Sequence, residues 1–313
     1  MDEKSIRKLM LLVNPHSGRG LLDSALGVIV NTLCSNGFSV TVYFTGALSA
    51  ESIAAGFGAN YDVIVCVGGD GTLSGAVSGL MRVDAPPPVG YIPKGTAHDV
   101  ANTLSLSHNP RLAAQTIIDG VPVPVDVGQF GGGDYFVYIA AFGAFTGVSY
   151  LTPQSTKRAL GHFAYVLGGI ADLSAIKPRH TVVEYDGGVI EGEFVFGGVT
   201  NSLSVAGLAR LSPDDVDLND GRFEVLLVKL PISPHDLIDI VSSILKKSYQ
   251  SDNVQMLHTS RVAFTFDEDV AWTRDGEDGG SHRRVEIVNR PRAVRILLDS
   301  ERLSKFAGTP DGR

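Results

Sequence analysis

The sequence predicts an open α/β sheet followed by a mainly antiparallel β half, and three observations carry that prediction. Apolar runs of strand length alternate with helix-period stretches from Leu9 to Asp119. After Pro122 the pattern changes to short strands joined by glycine turns. Three glycine-bearing turns, at residues 14–20, 68–72 and 93–96, each close a strand and precede a helix. Repeated β-turn-α gives a mostly parallel sheet with helices on both faces, and ligands of such sheets lie beyond the carboxyl ends of the strands.

Leu9 to Val13 reads as the first buried strand, and Leu22 to Leu33 as a helix closed by a glycine cap at Asn36-Gly37. Ser39 to Phe44 is a strand and Ser49 to Phe57 a helix capped by Ser49. Val63 to Val67 is a β-branched run that breaks into Gly68-Gly69-Asp70-Gly71-Thr72, after which Leu73, Ala76, Val77 and Leu80 recur at helical spacing. Pro86-Pro87-Pro88 forces an extended connection to a strand at Val89 to Ile92; helices follow at Ala97 to Leu104 and Arg111 to Asp119. In the second half, strands are expected at Val123–Phe130 and Tyr135–Phe142 around Gly131-Gly132-Gly133. A long helix is expected at Ser155–Leu173, and a hairpin at Thr181–Phe196 around Asp186-Gly187-Gly188. A strand at Arg222–Lys229 precedes a helix at Pro234–Lys247 with Ile238, Val241, Ile244 and Leu245 on one face; short strands at Arg261–Phe266, Arg283–Val288 and Val294–Leu298 complete the chain. The domains this implies are residues 1–126 and residues 127–290, with 291–313 as a segment that can return to the first.

Composition limits the partners. The 313 residues are 44% hydrophobic and carry a net charge of −8, enough apolar material for two cores and the wrong sign for a nucleic-acid partner. The same charge gives no global attraction to an anionic membrane, although a local basic patch is compatible with it. Cys34 and Cys66 are both expected as reduced core residues of a cytoplasmic protein. The apolar run near the N-terminus is too short for a signal peptide, and the uncharged stretch from Tyr135 to Thr156 contains glycines and a proline, so it reads as strand and loop.

The turn at Gly68–Thr72 has the chemistry of a phosphate site. Glycines let the backbone approach a ligand, and the helix start offers N–H groups to an anion. Asp70 would repel a bare phosphate, so a bridging Mg²⁺ is the natural third party. On these residues alone a tight strand-to-helix turn with no ligand is equally good. Three such turns at one sheet edge favour the ligand.

Asn14-Pro15-His16-Ser17-Gly18, Gly68-Gly69-Asp70-Gly71-Thr72 and Pro93-Lys94-Gly95-Thr96-Ala97-His98-Asp99 together resemble the catalytic domain of diacylglycerol kinases, most closely the soluble bacterial lipid kinases. Asp217-Leu218-Asn219-Asp220-Gly221 is similar to that family's acidic turn, and Asp275-Gly276-Glu277 to its catalytic turn. The resemblance spans nearly the whole chain. Its departure is His98, where the family usually has Asn. It implies a fold like that of NAD kinases and diacylglycerol kinases with a cleft between the domains, and transfer of the γ-phosphate of ATP to a lipid hydroxyl. It implies nucleotide contacts at Asn14, Ser17, Gly69, Asp70, Gly71, Thr72 and Thr96, and a metal-and-water network at Asp70, Asp99 and Asp126. It implies a base at Asp275 with Glu277 beside it, and a structural Mg²⁺ held by Asp220 with the backbone carbonyls of Asp217 and Arg222.

Each assignment has a plainer counterpart on the residues alone. Asp126 can be a turn-capping carboxylate, Asp-Gly-Glu-Asp-Gly-Gly a solvated hairpin, and Asn219-Asp220-Gly221 an ordinary turn. Lys157, Arg158 and His162 can touch lipid headgroups or form a solvated basic helix face. Diacylglycerol is the expected acceptor, with phosphatidylglycerol or a sphingoid base as alternatives. NAD kinase shares Gly-Gly-Asp-Gly-Thr but has a following Asn-Glu pair that is missing here. A non-catalytic lipid-binding relative is the remaining alternative. The resemblance further implies transient contact of a cytoplasmic enzyme with the inner membrane face, and a homodimer is compatible with it.

Overall fold

The structure, a computed structural model, describes residues 6–17, 22–95, 98–143, 177–205, 209–211 and 216–299. The helix expected at Ser155–Leu173, with Lys157, Arg158 and His162, lies outside the described residues, as does Thr96. The chain divides into two compact units, Met1–Asp126 with Arg292–Arg313, and Val127–Pro291.

The first unit is built on β1 (Arg7–Val13), β2 (Phe38–Phe44), β3 (Val63–Gly68) and β4 (Val89–Pro93). β1 pairs in parallel with β2 and with β3, and β3 in parallel with β4. Every residue of β3 and β4 is buried, as expected of strands covered on both faces. The covering helices are α1 (Leu22–Cys34), α2 (Ala50–Phe57), α3 (Asp70–Leu80), α4 (Asp99–Thr103) and α5 (Pro110–Asp119). Ile29 and Leu33 of α1 and Ala113 and Ile117 of α5 pack with Leu9, Leu11, Val63 and Val65 in one apolar cluster. Ser49 caps α2 by accepting from the N–H of Ser52 at 3.1 Å, as its sequence position predicts.

The second unit contains β5 (Val121–Phe130, which begins in the first unit), β6 (Asp134–Phe136), β7 (Ile139–Gly143), β8 (Arg179–Tyr185) and β9 (Gly188–Thr200). It continues with β10 (Ser204–Val205), β11 (Ala209–Arg210), β12 (Phe223–Lys229), α6 (Pro234–Lys246), β13 (Val254–Thr259), β14 (Arg261–Arg274) and β15 (Glu277–Leu298). Its pairings are antiparallel: β12 with β9 and β13, β9 with β7 and β8, and β14 with β7, β8 and β15. Phe136, Phe142, Phe194, Phe223, Phe264 and Trp272 form an aromatic core. β15 ends in the first unit, where Ile296 is in parallel register with Val89 of β4.

Three expectations are corrected. Cys34 is exposed, because α1 turns its last residue away from the sheet; only Cys66 is a core thiol, and burial pushes its pKa up to about 12. The helix expected from Ala97 starts at Asp99, because His98 adopts a left-handed backbone (φ 58°) that helical residues do not. Finally, α6 buries Ile240, Ser243 and Ile244, while Ile238 and Leu245 point to solvent.

Candidate active site

Parallel pairing of β1, β3 and β4 brings their carboxyl ends to one edge of the first unit. The turns that follow them touch. The N–H of Asn14 donates to Val67 O at 3.0 Å, and the N–H of Lys94 to Gly68 O at 2.7 Å. Asn14 Nδ2 donates to Thr72 Oγ1 at 3.3 Å, and the N–H of Ser17 to Asn14 O at 3.2 Å. The second and third turns meet glycine to glycine. A Cβ on Gly95 would lie 2.6 Å from Gly69 Cα, so neither backbone could come this close if residue 95 carried a side chain.

Asp70 stands where these turns meet, in the first turn of α3, beside Gly71 and the buried Thr72. Its Oδ1 accepts from the Tyr91 hydroxyl at 3.0 Å and its Oδ2 from the N–H of Asp99 at 2.9 Å. Burial raises the Asp70 carboxyl above its ordinary pKa; the Tyr91 hydroxyl, the Asp99 N–H and His98 pull it the other way. His98 lies edge-on to His108, ring centres 4.5 Å apart, and its buried Nδ1 has no hydrogen-bond partner among the described residues. Burial, His108 and Lys94 hold the imidazole below its usual pKa, against Asp70. The left-handed backbone at this position explains the residue type: Asn, Asp and His are the non-glycine residues enriched there, so His98 meets the same demand as an Asn. Asp126, fully buried in β5, accepts from the N–H of Arg292 at 2.7 Å, a donor far along the chain and not the local turn that its sequence position also allows.

In the second unit Asp275 and Gly276 form the two-residue loop between β14 and β15, both with positive φ (48° and 83°). The Asp-Gly hairpin signal is therefore correct. The solvated carboxylate it suggests is not, since Asp275 is only 4% exposed. Its Oδ2 accepts from the N–H of Val137 at 2.7 Å, and its Oδ1 from those of Tyr138 and Ile139, both at 3.0 Å. The Asp275 N–H closes the loop onto Ile139 O at 2.8 Å. Glu277, the first residue of β15, is exposed.

The acidic turn before β12 is a pair of Asx turns. Asp217 Oδ1 accepts from the N–H of Asn219 at 3.2 Å, and Asp220 Oδ1 from that of Arg222 at 2.8 Å. Arg222 O accepts from Asn289 Nδ2 at 3.1 Å. Among the described residues, no three His, Cys, Asp or Glu side chains converge as a metal cluster.

Two residues of these sites were not singled out from the sequence. Tyr91 shows only as one polar tip in the buried run VGYIP. Glu224 is a charged residue in FEVLLVK, a strand whose first six positions are all buried, and that was a readable signal. Its Oε1 lies 3.7 Å from His258 Nδ1, while Oε2 is buried without a hydrogen-bond partner among the described residues. Burial pushes the Glu224 carboxyl up to about 7 against the pull of His258.

Residues 8–130 match the profile of the diacylglycerol kinase catalytic domain, and residues 143–298 that of the YegS C-terminal NAD kinase beta sandwich-like domain. The chain is 32% identical over 305 residues to the diacylglycerol kinase of Bacillus subtilis (strain 168), covering 96% of this chain and 99% of the relative. The chain belongs to the diacylglycerol kinase family. A diacylglycerol kinase of Staphylococcus aureus (strain NCTC 8325 / PS 47) is 31% identical over 303 residues, with 94% of this chain and 93% of the relative covered. A crystal structure of a diacylglycerol kinase from Bacillus anthracis str. Sterne has the same fold, with a TM-score of 0.75 at 24% identity over 94% of this chain and 98% of that one. The resemblance drawn from five motifs is thus matched along almost the whole chain, and the antiparallel second half agrees with the β sandwich-like family assigned to it.

Proposed function

We propose that the protein is an ATP-dependent lipid kinase that transfers the γ-phosphate to the free hydroxyl of diacylglycerol, giving phosphatidate. One observation carries the reading: in a chain aligned end to end with diacylglycerol kinases, the turns after β1, β3 and β4 meet around Asp70. Phosphoryl transfer depends on positioning and on neutralising the charge of the moving group. Asn14, Ser17, Gly69, Gly71, Thr72 and Thr96 would position the nucleotide, with Asp70, Asp99 and Asp126 turned to a divalent cation. Mg²⁺, when bound, supplies charge neutralisation at the phosphates. Asp70 fits that role, because a buried carboxyl resisting ionisation is relieved by a cation. The acidic turn offers only oxygen donors, from Asp217, Asp220 and the carbonyl of Arg222, which suits Mg²⁺ in a structural site.

Asp275 is the proposed base. The N–H groups of Val137, Tyr138 and Ile139 donate to its carboxylate and fix its oxygens in place. A free Asp, with a pKa of about 3.9, cannot ionise an alcohol beforehand; the proton moves to Asp275 as the phosphoryl group transfers. Glu277 is exposed and flanks the base. Reaching a bilayer-held acceptor requires transient contact with a membrane surface; no helix among the described residues is long and apolar enough to cross one.

The test is transfer of labelled γ-phosphate from ATP–Mg²⁺ to a panel in mixed micelles of diacylglycerol, phosphatidylglycerol and a sphingoid base, with NAD in buffer. Label is expected in phosphatidate and lost in Asp275→Asn. Label in another lipid would keep the mechanism and replace the acceptor. Label in NAD would overturn the lipid assignment, and no label at all would support a non-catalytic binding protein.

A further inference from the structure

The turn after β4 carries a charge that the fold leaves unmatched. Lys94 is partly buried there, and burial lowers the pKa of its ammonium. That ammonium makes no ion pair or hydrogen bond among the described residues. A cation drawn partly out of water without a partner costs stability. The backbone leaves little freedom in where it stands. The N–H of Lys94 donates to Gly68 O at 2.7 Å, and the same oxygen accepts from the Tyr91 hydroxyl at 3.3 Å. Pro93 before it is in register with Gly68, and Gly95 after it packs on Gly69. The root of the side chain is thereby fixed beside the start of α3.

The start of α3 has donors to spare. Its N-cap is Gly69, which offers no side chain, and the N–H groups of Asp70 and Gly71 make no hydrogen bond among the described residues. The helix behind them is 11 residues long, and such an end attracts anions. Lys94 also acts on His98: it helps hold the imidazole below its usual pKa, while Asp70 pulls the other way. The ammonium is thus within electrostatic reach of the groups around Asp70. The described turns 14–17, 68–72 and 93–95 contain no other lysine or arginine. Asp70 and Asp99 bring negative charge to the same place, and a triphosphate would add more. A divalent cation offsets part of that charge, and Lys94 is a positive charge that belongs to the chain itself.

We propose that Lys94 is a nucleotide-binding residue, its ammonium contacting the phosphate chain of ATP together with the first-turn N–H groups of α3. The inference rests on the reading of the first unit as an ATP site. The other nucleotide contacts, Asn14, Ser17, Gly69, Gly71, Thr72 and Thr96, are neutral, so they orient a phosphate without balancing its charge. A lysine balances it as a point charge with three donors and needs no planar fork. The phosphate in turn gives the ammonium the partner it lacks, so the cost of leaving Lys94 unpaired in the free protein is recovered on binding.

The test titrates the full chain with ATP–Mg²⁺ in a calorimeter and follows turnover in diacylglycerol micelles. Lys94→Met is expected to raise the Kd for ATP at least ~10-fold, and the KM for ATP with it, while the KM for diacylglycerol stays where it was. Added salt should weaken ATP binding by the parent more than by this variant. Lys94→Arg keeps the charge and should recover most of the affinity. Thermal unfolding of ligand-free Lys94→Met should not fall below that of the parent, because the variant loses an unpaired charge and no contact. An unchanged Kd for ATP in Lys94→Met overturns the proposal and leaves the kinase reading standing. A loss that Lys94→Arg shares, with lower thermal unfolding and an unchanged salt dependence, makes Lys94 a residue of the turn alone and also overturns it. So does a rise confined to the KM for diacylglycerol, which would put the ammonium at the acceptor. If the parent itself binds no ATP–Mg²⁺, the ATP reading fails and the proposal fails with it.

Discussion

Two acids buried in the second unit are treated in opposite ways. Asp275, 4% exposed, has its oxygens held by three backbone N–H groups from Val137 to Ile139. Glu224, 1% exposed, has one oxygen near a histidine and the other without a hydrogen-bond partner among the described residues. The difference shows what a buried carboxylate needs. Backbone donors aimed at both oxygens replace the lost water, whereas a lone imidazole at 3.7 Å does not, and the Glu224 proton affinity rises until its carboxyl titrates at about 7. An acid fixed by the backbone holds one geometry. An acid left short of partners is a strain on the fold.

The largest effect is expected at Asp275. Asp275→Asn removes the proposed base and turns an amide N–H₂ toward at least one backbone N–H. Turnover should fall by 10²-fold or more, and stability by about 1–3 kcal/mol from the donors left unsatisfied. Kinetics in micelles and thermal unfolding measure the two separately. Full stability with lost turnover would sharpen the assignment of Asp275 to chemistry; lost stability with retained turnover would make it a loop anchor alone.

Glu224→Gln should act in the opposite direction. A carboxyl raised from 4.5 to about 7 binds its proton more tightly in the folded state. Stability is therefore unpenalised below about pH 4.5, falls as pH rises from there to about 7, and is level above that. At pH 8 with a chelator present, Glu224→Gln should be more stable than the parent by about 1–3 kcal/mol, and the gap should close toward pH 4.5. Denaturant unfolding at the two pH values measures it. A gap that is absent at pH 8 would mean that Glu224 Oε2 finds a partner in solution, and the contrast with Asp275 would collapse.

Gly276→Ala probes the loop that aims Asp275. The residue has φ 83°, and a Cβ there would meet nothing closer than the Tyr138 hydroxyl at 3.6 Å, so the cost is one of backbone conformation alone. It should be about 1–2 kcal/mol, read as a lower midpoint in denaturant at unchanged slope. The hairpin at Asp186-Gly187 differs, because there a Cβ on Gly187 would lie 2.5 Å from the Tyr185 ring, and that ring would have to move to admit it.

These residues show how far the sequence could be read. The alternation of strands and helices in the first unit was legible because periodicity and glycine turns are local signals, and the meeting of the turns around Asp70 follows once three parallel strands share an edge. Family resemblance, not physics, pointed to Asp275 and Asp217–Arg222. Turn chemistry alone could not say that one Asp-Gly loop is buried, since its donors come from Val137 to Ile139, far along the chain. The faces of α6 were misread for a related reason: Ile238, Ile240, Ile244 and Leu245 are all apolar, and only the packing of the unit decides which of them are covered.

The smallest effect is expected at Asp186, the other Asp-Gly hairpin. Its exposed carboxylate accepts from both the N–H and the hydroxyl of Ser260 at 2.7 Å, and these bonds hold its pKa below the ordinary value. A depressed carboxyl stabilises the fold above its unfolded pKa, and that contribution is lost as pH falls through the lower folded value. Water screens the site, so Asp186→Asn should cost less than ~1 kcal/mol at pH 7, with the cost shrinking in acid below about pH 4 and kinase turnover unchanged. Thermal unfolding at neutral and acid pH, with the micelle assay alongside, measures this. A loss of turnover here as deep as that of Asp275→Asn would show that the position of an Asp-Gly hairpin, and not the burial of its carboxylate, is what the activity depends on.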